Sequence, residues 1–247
     1  MAGKSFKPIR VSNDATIDLI CFPYAGSGAS IFYSWANYLN PKINIYGFQA
    51  PGKEDRISED LIEDLNTLVQ NAVQELKQLI QRPFVLFGHS MGSVLAFEIT
   101  KKLEAEQFAP KLVVLSGRPP PKFGLKMSPI SHLADKELIA ELHKLEGTDS
   151  RILENAELME LLLPIIRTDF RISESYKSSA NSKINSPLIA IGSKNDPWIN
   201  EVEFNEWKDY SKNTTKIQFF PGGHFYLREH LDILSEFLNS QILQELS

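Results

Sequence analysis

Residues 84–92 place the tightest constraint on what this chain can fold into. Phe84-Val85-Leu86-Phe87 follows Pro83 and reads as a short buried strand, and a helix pattern from about Met91 to Glu106 begins almost at once after it. Only Gly88-His89-Ser90 separates the two. A strand that turns directly into a helix forces both backbones to pass at close range. The residues flanking the corner must therefore be small, and Gly88 and Gly92 meet that need.

The rest of the chain repeats a strand-then-helix rhythm around this corner. Asp18–Phe22, Ile43–Phe48, Leu112–Leu115, Leu188–Ile191 and Ile217–Phe220 are apolar runs of strand length. Ile31–Leu39 reads as a helix. Leu61, Leu65, Leu68, Ala72, Leu76 and Leu79 keep a helical period, with Ser58, Glu59 and Asp60 as the expected cap and acidic first turn. A last helix is expected from about Glu229 to Leu243. Apolar strands alternating with amphipathic helices predict an α/β fold with a mostly parallel sheet covered on both faces. Residues 1–16 are polar and are expected to be loosely ordered.

From Lys122 to about Lys183 the rhythm stops. Leu133-Leu138-Leu142-Leu145 and Leu158-Leu161-Leu162-Ile165 are helical series with no strand between them. The expected organisation is thus a single domain over residues 1–247 with a helical insertion at about 122–183. The insertion leaves the sheet after the C-terminal end of a strand, where such sheets hold their sites, so it is a lid candidate.

A net charge of −5 argues against a general nucleic-acid binder, which needs a basic surface. The single cysteine, Cys21, admits no internal disulfide and lies in an apolar run, as a buried core residue would. No apolar stretch follows Lys4, Lys7 and Arg10 as in a secretory signal, and no segment has the length of a membrane span. These features favour a cytoplasmic protein with no membrane partner.

Gly88-His89-Ser90-Met91-Gly92 is G-x-S-x-G in the strand–turn–helix context of a nucleophile elbow, as in the α/β-hydrolase fold. Ser90 is the expected nucleophile, and the Met91 amide at the helix start is one expected oxyanion donor. A serine needs a base. Of the five histidines, His89 lies inside the elbow with its side chain expected to point away, His132 and His143 fall in the insertion, and His230 sits in the last helix pattern. His224 follows the last strand on a Gly222-Gly223 loop and is the expected base. The orienting acid should follow a strand after the elbow helix. Ser116–Ser128 holds no carboxylate, so Asp196 in Asn195-Asp196-Pro197 is favoured over Glu201 and Glu203. Asp169 is a rival if the insertion folds over the serine. The second oxyanion amide should come from Pro23-Tyr24-Ala25-Gly26-Ser27-Gly28, after the first sheet strand. No metal-ligand spacing and no nucleotide-binding motif is present, so neither metal nor cofactor is expected.

Cys21-Phe22-Pro23-Tyr24-Ala25-Gly26, Pro51-Gly52-Lys53-Glu54-Asp55-Arg56, the elbow, Asn195-Asp196 and Pro221-Gly222-Gly223-His224-Phe225 together resemble the type II thioesterases of nonribosomal peptide and polyketide synthetases. Leu163-Pro164-Ile165-Ile166-Arg167-Thr168-Asp169-Phe170-Arg171 resembles that family too. The chain departs from it at Ser27, where a second glycine is common after Gly26, and at Lys53, where arginine is usual. The resemblance implies hydrolysis of acyl thioesters on the phosphopantetheine arm of a carrier protein, freeing a blocked synthetase. It implies Ser90, Asp196 and His224 as the triad and the amides of Ala25 and Met91 as the oxyanion hole.

Two other readings compete. A medium-chain thioesterase of fatty-acid synthesis or a small-ester esterase would use the same triad. A binding-only protein would be free to lose a triad member, and this chain keeps all three. The partner implied by the resemblance is an acyl-loaded carrier protein, and a monomer is the default expectation for the enzyme itself. Carrier proteins are generally acidic, and Arg118, Lys122 and Lys126 form the one candidate basic patch for docking.

Overall fold

The computed structural model describes residues 4–178 and 182–245. Seven strands form one sheet: β1 (Phe6–Arg10), β2 (Ile17–Phe22), β3 (Ile43–Phe48), β4 (Phe84–His89), β5 (Leu112–Ser116), β6 (Leu188–Ser193) and β7 (Thr215–Phe220). Their order across the sheet is β1-β3-β2-β4-β5-β6-β7, with β1 antiparallel to β3 and every other pair parallel. The helices are α1 (Leu65–Leu79), α2 (Met91–Ala105), α3 (Asp135–Leu145), α4 (Ser150–Leu153), α5 (Ala156–Ser175), α6 (Glu201–Phe204), α7 (Tyr226–Glu229) and α8 (Leu231–Gln244).

Strand alternation builds two cores. Ile20 and Phe22 of β2 and Leu86 of β4 face the layer made by α1 and α2, through Leu68, Ala72, Leu76, Leu95 and Leu103. Leu19, Cys21, Val85 and Phe87 face the opposite layer, with Phe32 and Trp35 and with Leu234, Leu238 and Ile242 of α8. Cys21 is fully buried, and burial pushes its thiol well above the usual range.

The strand order fixes where a site can form. The connection from β2 runs to β3 on one side, and the next strand, β4, lies on β2's other side. Chains leaving the carboxyl ends of β2 and β4 therefore diverge and open a crevice between them. Residues 23–28 and Ser90 sit at that crevice. Between β5 and β6, α3, α4 and α5 enclose a small core of Leu138, Leu142, Leu153, Met159, Leu163 and Ile166. Residues 179–181 of the expected insertion lie outside the described residues.

Four local expectations are corrected. The N-terminal segment is not loose over its described part: β1 is an edge strand. Its Phe6 packs on Phe22 and Phe48, and the Arg10 guanidinium donates to the carbonyls of Ala36, Leu39, Asn40 and Ile43 at 2.6–2.9 Å. Its polar alternation hid it, because only one face meets the core. Residues 1–3 of that expectation lie outside the described residues. Ala29–Asn37 is a 3₁₀ helix in place of an α-helix. The last helix is broken at His230, with φ −126° and ψ 42° there, into α7 and α8. Helix α1 starts at Leu65, not near Ser58. Arg56 draws Glu59 back with two hydrogen bonds of 2.9 and 2.6 Å, and the Asp64 carboxylate caps the Thr67 amide at 2.7 Å. Asp64→Ala should therefore cost about 1 kcal/mol of stability, and Ser58→Ala should cost nothing measurable, as read by urea denaturation of both variants.

Candidate active site

Ser90 occupies the corner between β4 and α2 with φ 55° and ψ −113°, a conformation rare for a residue with a side chain. The backbone around it is held firmly. Its amide donates to the Ser116 carbonyl at 2.7 Å, and its carbonyl accepts from the Ser93 amide at 3.0 Å. Ser93 Oγ lies 2.8 Å from the carbonyls of both Gly88 and Ser116 and accepts from the Ser116 amide at 3.0 Å. A Cβ on Gly88 would lie 2.0 Å from the Gly92 carbonyl oxygen, and one on Gly92 would lie 2.0 Å from the Phe22 carbonyl oxygen. No side chain fits at either position while the corner keeps its shape. Met91, at the first position of α2, is buried, and its amide is among the helix-start groups with no partner inside the helix.

His224 lies on the loop after β7, and its Nδ1 is 2.6 Å from Asp196 Oδ2. Asp196, in the turn after β6, is 2% exposed, and its other carboxylate oxygen accepts from the Trp198 amide at 3.0 Å. The two loops are tied together where Ser193 Oγ donates to the Gly222 carbonyl. With Nδ1–H donated to the carboxylate, Nε2 keeps its lone pair and can accept a proton. Trp198 meets the His224 ring edge-on at 4.2 Å between centroids, and Phe225 does so at 5.0 Å.

Ser90, His224 and Ala25 line one apolar cavity of about 40 Å³, walled further by Tyr24, Leu142, Ile166, Phe170, Trp198 and Phe225. Ser90, His224 and Ala25 thus stand at a single crevice, with Asp196 one contact behind. The arrangement can activate a hydroxyl for attack on an acyl group. The other histidines separate cleanly. His132 and His143 do not reach this cavity, and His230 breaks the helix after β7. His89 does not line the cavity either, but it is no bystander. It is fully buried, its ring lies 4.9 Å from that of His224, and its Nδ1 is 2.7 Å from Ser116 Oγ, which is 2.5 Å from Tyr226 Oη.

Sequence reasoning missed this Ser116–Tyr226 support. Its members are 110 residues apart in the chain, and no spacing rule links them. The proposed basic patch also fails. Arg118 is buried, donates to the hydroxyl and carbonyl of Ser173 at 2.7 and 2.9 Å, and is pushed down to about 10 by burial. Lys122 pairs with Glu206, and Lys126 with Glu203 at 3.0 Å. The acids that neutralise the patch come from beyond β6 and could not be seen from residues 118–126 alone.

Comparison with known proteins decides the class. The model of the thioesterase domain family matches residues 18–242. The chain belongs to the thioesterase family. It is a hydrolase acting on thioesters, on the α/β-hydrolase fold. It is similar to the gramicidin S biosynthesis protein GrsT of Aneurinibacillus migulanus, at 33% identity over 97% of this chain and 94% of that protein. It is similar also to the human medium-chain S-acyl fatty acid synthase thioesterase, at 33% identity over 87% of this chain and 82% of that protein. The solved type II thioesterase BorB, from the borrelidin biosynthetic cluster, superimposes with a TM-score of 0.89 at 32% identity, covering 100% of this chain and 99% of that one. No described helix of this thioesterase is long and apolar enough to cross a membrane.

Two outcomes follow from the elbow and its surroundings. Gly92→Ala should destabilise the enzyme by about 3 kcal/mol or more, because the clash is with backbone, and Gly223→Ala, which meets nothing within 4 Å, should leave the melting temperature near that of the parent. His89 is held well below the usual histidine range by burial and then by the neighbouring His224. Below a pH of about 6.5 the unfolded chain takes up a proton that folded His89 refuses, so this contribution to stability is lost as pH falls. Denaturant titrations from pH 7 to 5 should show a shallower loss of stability in His89→Asn than in the parent.

Proposed function

We propose that this chain is a stand-alone type II thioesterase that removes acyl groups from the phosphopantetheine arm of carrier proteins in a nonribosomal peptide or polyketide system. The observation that carries this reading is the placing of a strained Ser90 and an Asp196-bound His224 on one apolar cavity. Its likeness to GrsT and BorB over nearly the whole length of all three chains supports the substrate class.

In this reading His224 Nε2 takes the Ser90 proton as Oγ attacks the thioester carbonyl. The amides of Ala25 and Met91 receive the developing oxyanion. Collapse breaks the C–S bond, and the departing thiol takes the proton back from His224. Water, deprotonated by the same nitrogen, then releases the carboxylic acid and restores Ser90. Asp196 holds the tautomer and faces the imidazolium as it forms. No cofactor or metal enters any step. The enzyme acts as a monomer, within a single domain whose insertion over residues 122–183 serves as a lid.

A panel of carrier proteins loaded with acyl groups of increasing length, followed by mass spectrometry, should show rapid acyl loss and slower turnover of acyl-coenzyme A and nitrophenyl esters. Preference for medium chains would move the assignment to fatty-acid release. A fluorophosphonate should label Ser90 and not Ser90→Ala, and Asp196→Asn should lower kcat by about 10⁴. Labelling at another serine, or a near-neutral Asp196→Asn, would overturn the triad.

A further inference from the structure

Asp169 lies on α5, in the helical insertion, and is not the partner of His224. Its Oδ2 accepts from the Gly26 amide at 2.6 Å and from Lys53 Nζ. Lys53 also donates to the Ser27 carbonyl at 3.1 Å. Both charged side chains are buried, 6% and 8% exposed. A buried ion pair of this kind is costly unless its hydrogen bonds are well made, and here each partner also bonds the loop that follows β2.

That loop is a tight turn. The Ser27 amide donates to the Tyr24 carbonyl at 3.2 Å, which leaves Ala25 and Gly26 as the two central residues. Gly26 has φ +78°, the value that a type II turn requires at its second central position. Types I and II differ by a flip of the peptide between the central residues, here Ala25–Gly26. Its N–H is the one that Asp169 holds. A flipped peptide would point the Ala25 carbonyl at the carboxylate and be repelled. Ile166, one turn earlier on α5, closes the same side, since a Cβ on Gly26 would meet it at 3.1 Å.

We propose that Asp169 is a positioning residue for the oxyanion hole, clamping the Ala25–Gly26 peptide from α5, and that Lys53 cancels the charge that this clamp would otherwise set against the oxyanion. The proposal rests on the reading of Ala25 as an oxyanion donor. It makes the hole depend on the insertion: the helix that walls the cavity with Ile166 and Phe170 also holds the turn, so a site with α5 withdrawn lacks a formed hole. An uncompensated carboxylate about one peptide away from a developing negative charge would raise the barrier, which is why the clamp needs its lysine.

The test uses an acyl trifluoromethyl ketone, whose adduct with Ser90 places an oxyanion in the hole, and the matching unreactive thioether, whose binding does not. Parent turnover of a small acyl thioester and ketone adduct formation are measured first. Absence of both would sink the hydrolase reading itself, and the clamp with it. Given an active parent, Asp169→Ala should lower kcat 10- to 100-fold with KM within threefold. Ketone affinity should fall by a similar factor while thioether affinity stays unchanged. Asp169→Asn keeps an acceptor for the Gly26 amide and should recover most of that loss. Lys53→Met, leaving a bare carboxylate, should also be slow, and Lys53→Met combined with Asp169→Asn should be faster than Lys53→Met alone. The last pair keeps the test decisive if Asp169→Ala fails to fold. Parallel loss of both ligands, no loss of either, or a double variant as slow as Lys53→Met would overturn the clamp and leave the hydrolase reading intact.

Discussion

The close passage of β2, β4 and the first turn of α2 is the constraint on which the site depends. Gly88 and Gly92 remove the side chains that would otherwise hold these three backbones apart. The approach lets α2 begin directly at the end of a strand and throws Ser90 into a conformation that an unconstrained chain would abandon. The strain is held by ordinary groups: the Ser90 and Ser116 backbone and the hydroxyl of Ser93, all at the carboxyl end of the sheet. Removing side-chain bulk at two positions thus determines where a third side chain can present its hydroxyl.

Around this corner, the sheet order does the assembly. Because β3 and β4 lie on opposite sides of β2, the loop after β2 and the elbow after β4 face one another across an opening rather than across a packed crossover. The loops after β6 and β7 reach the same opening from the far side and bring Asp196 and His224 together. The histidine sits among Trp198, Phe225 and His89. Aromatic rings on several sides restrict its motion, so the imidazole is oriented by packing as well as by its carboxylate.

Buried charge ties segments together in two places. Arg118 joins the end of β5 to α5, and Lys53 with Asp169 joins the loop after β3, the turn after β2 and α5. Such pairs add little net stability because desolvation offsets their attraction. They specify geometry instead: α5 can lie in one place only if its buried polar atoms are to be satisfied. That placement gives the cavity its wall.

The sequence by itself determined the fold class, the strand cores, the elbow and the identity of Ser90, Asp196 and His224 as candidates. Each is written in local pattern: continuous apolar runs, glycines beside a strand-to-helix junction, a carboxylate and a histidine just past strand ends. It did not determine β1, whose polar alternation masks an edge strand, nor the start of α1, which Arg56 and Asp64 decide against Ser58. Only the tertiary structure decided that Arg118, Lys122 and Lys126 are already partnered, that His89 backs His224 through a buried network, and that Asp169 belongs to the turn after β2. These partners are set by which segments the sheet order brings side by side, over separations from tens of residues to more than a hundred. A side chain's charge and shape are local properties of the sequence, whereas what satisfies them is a property of the packed chain.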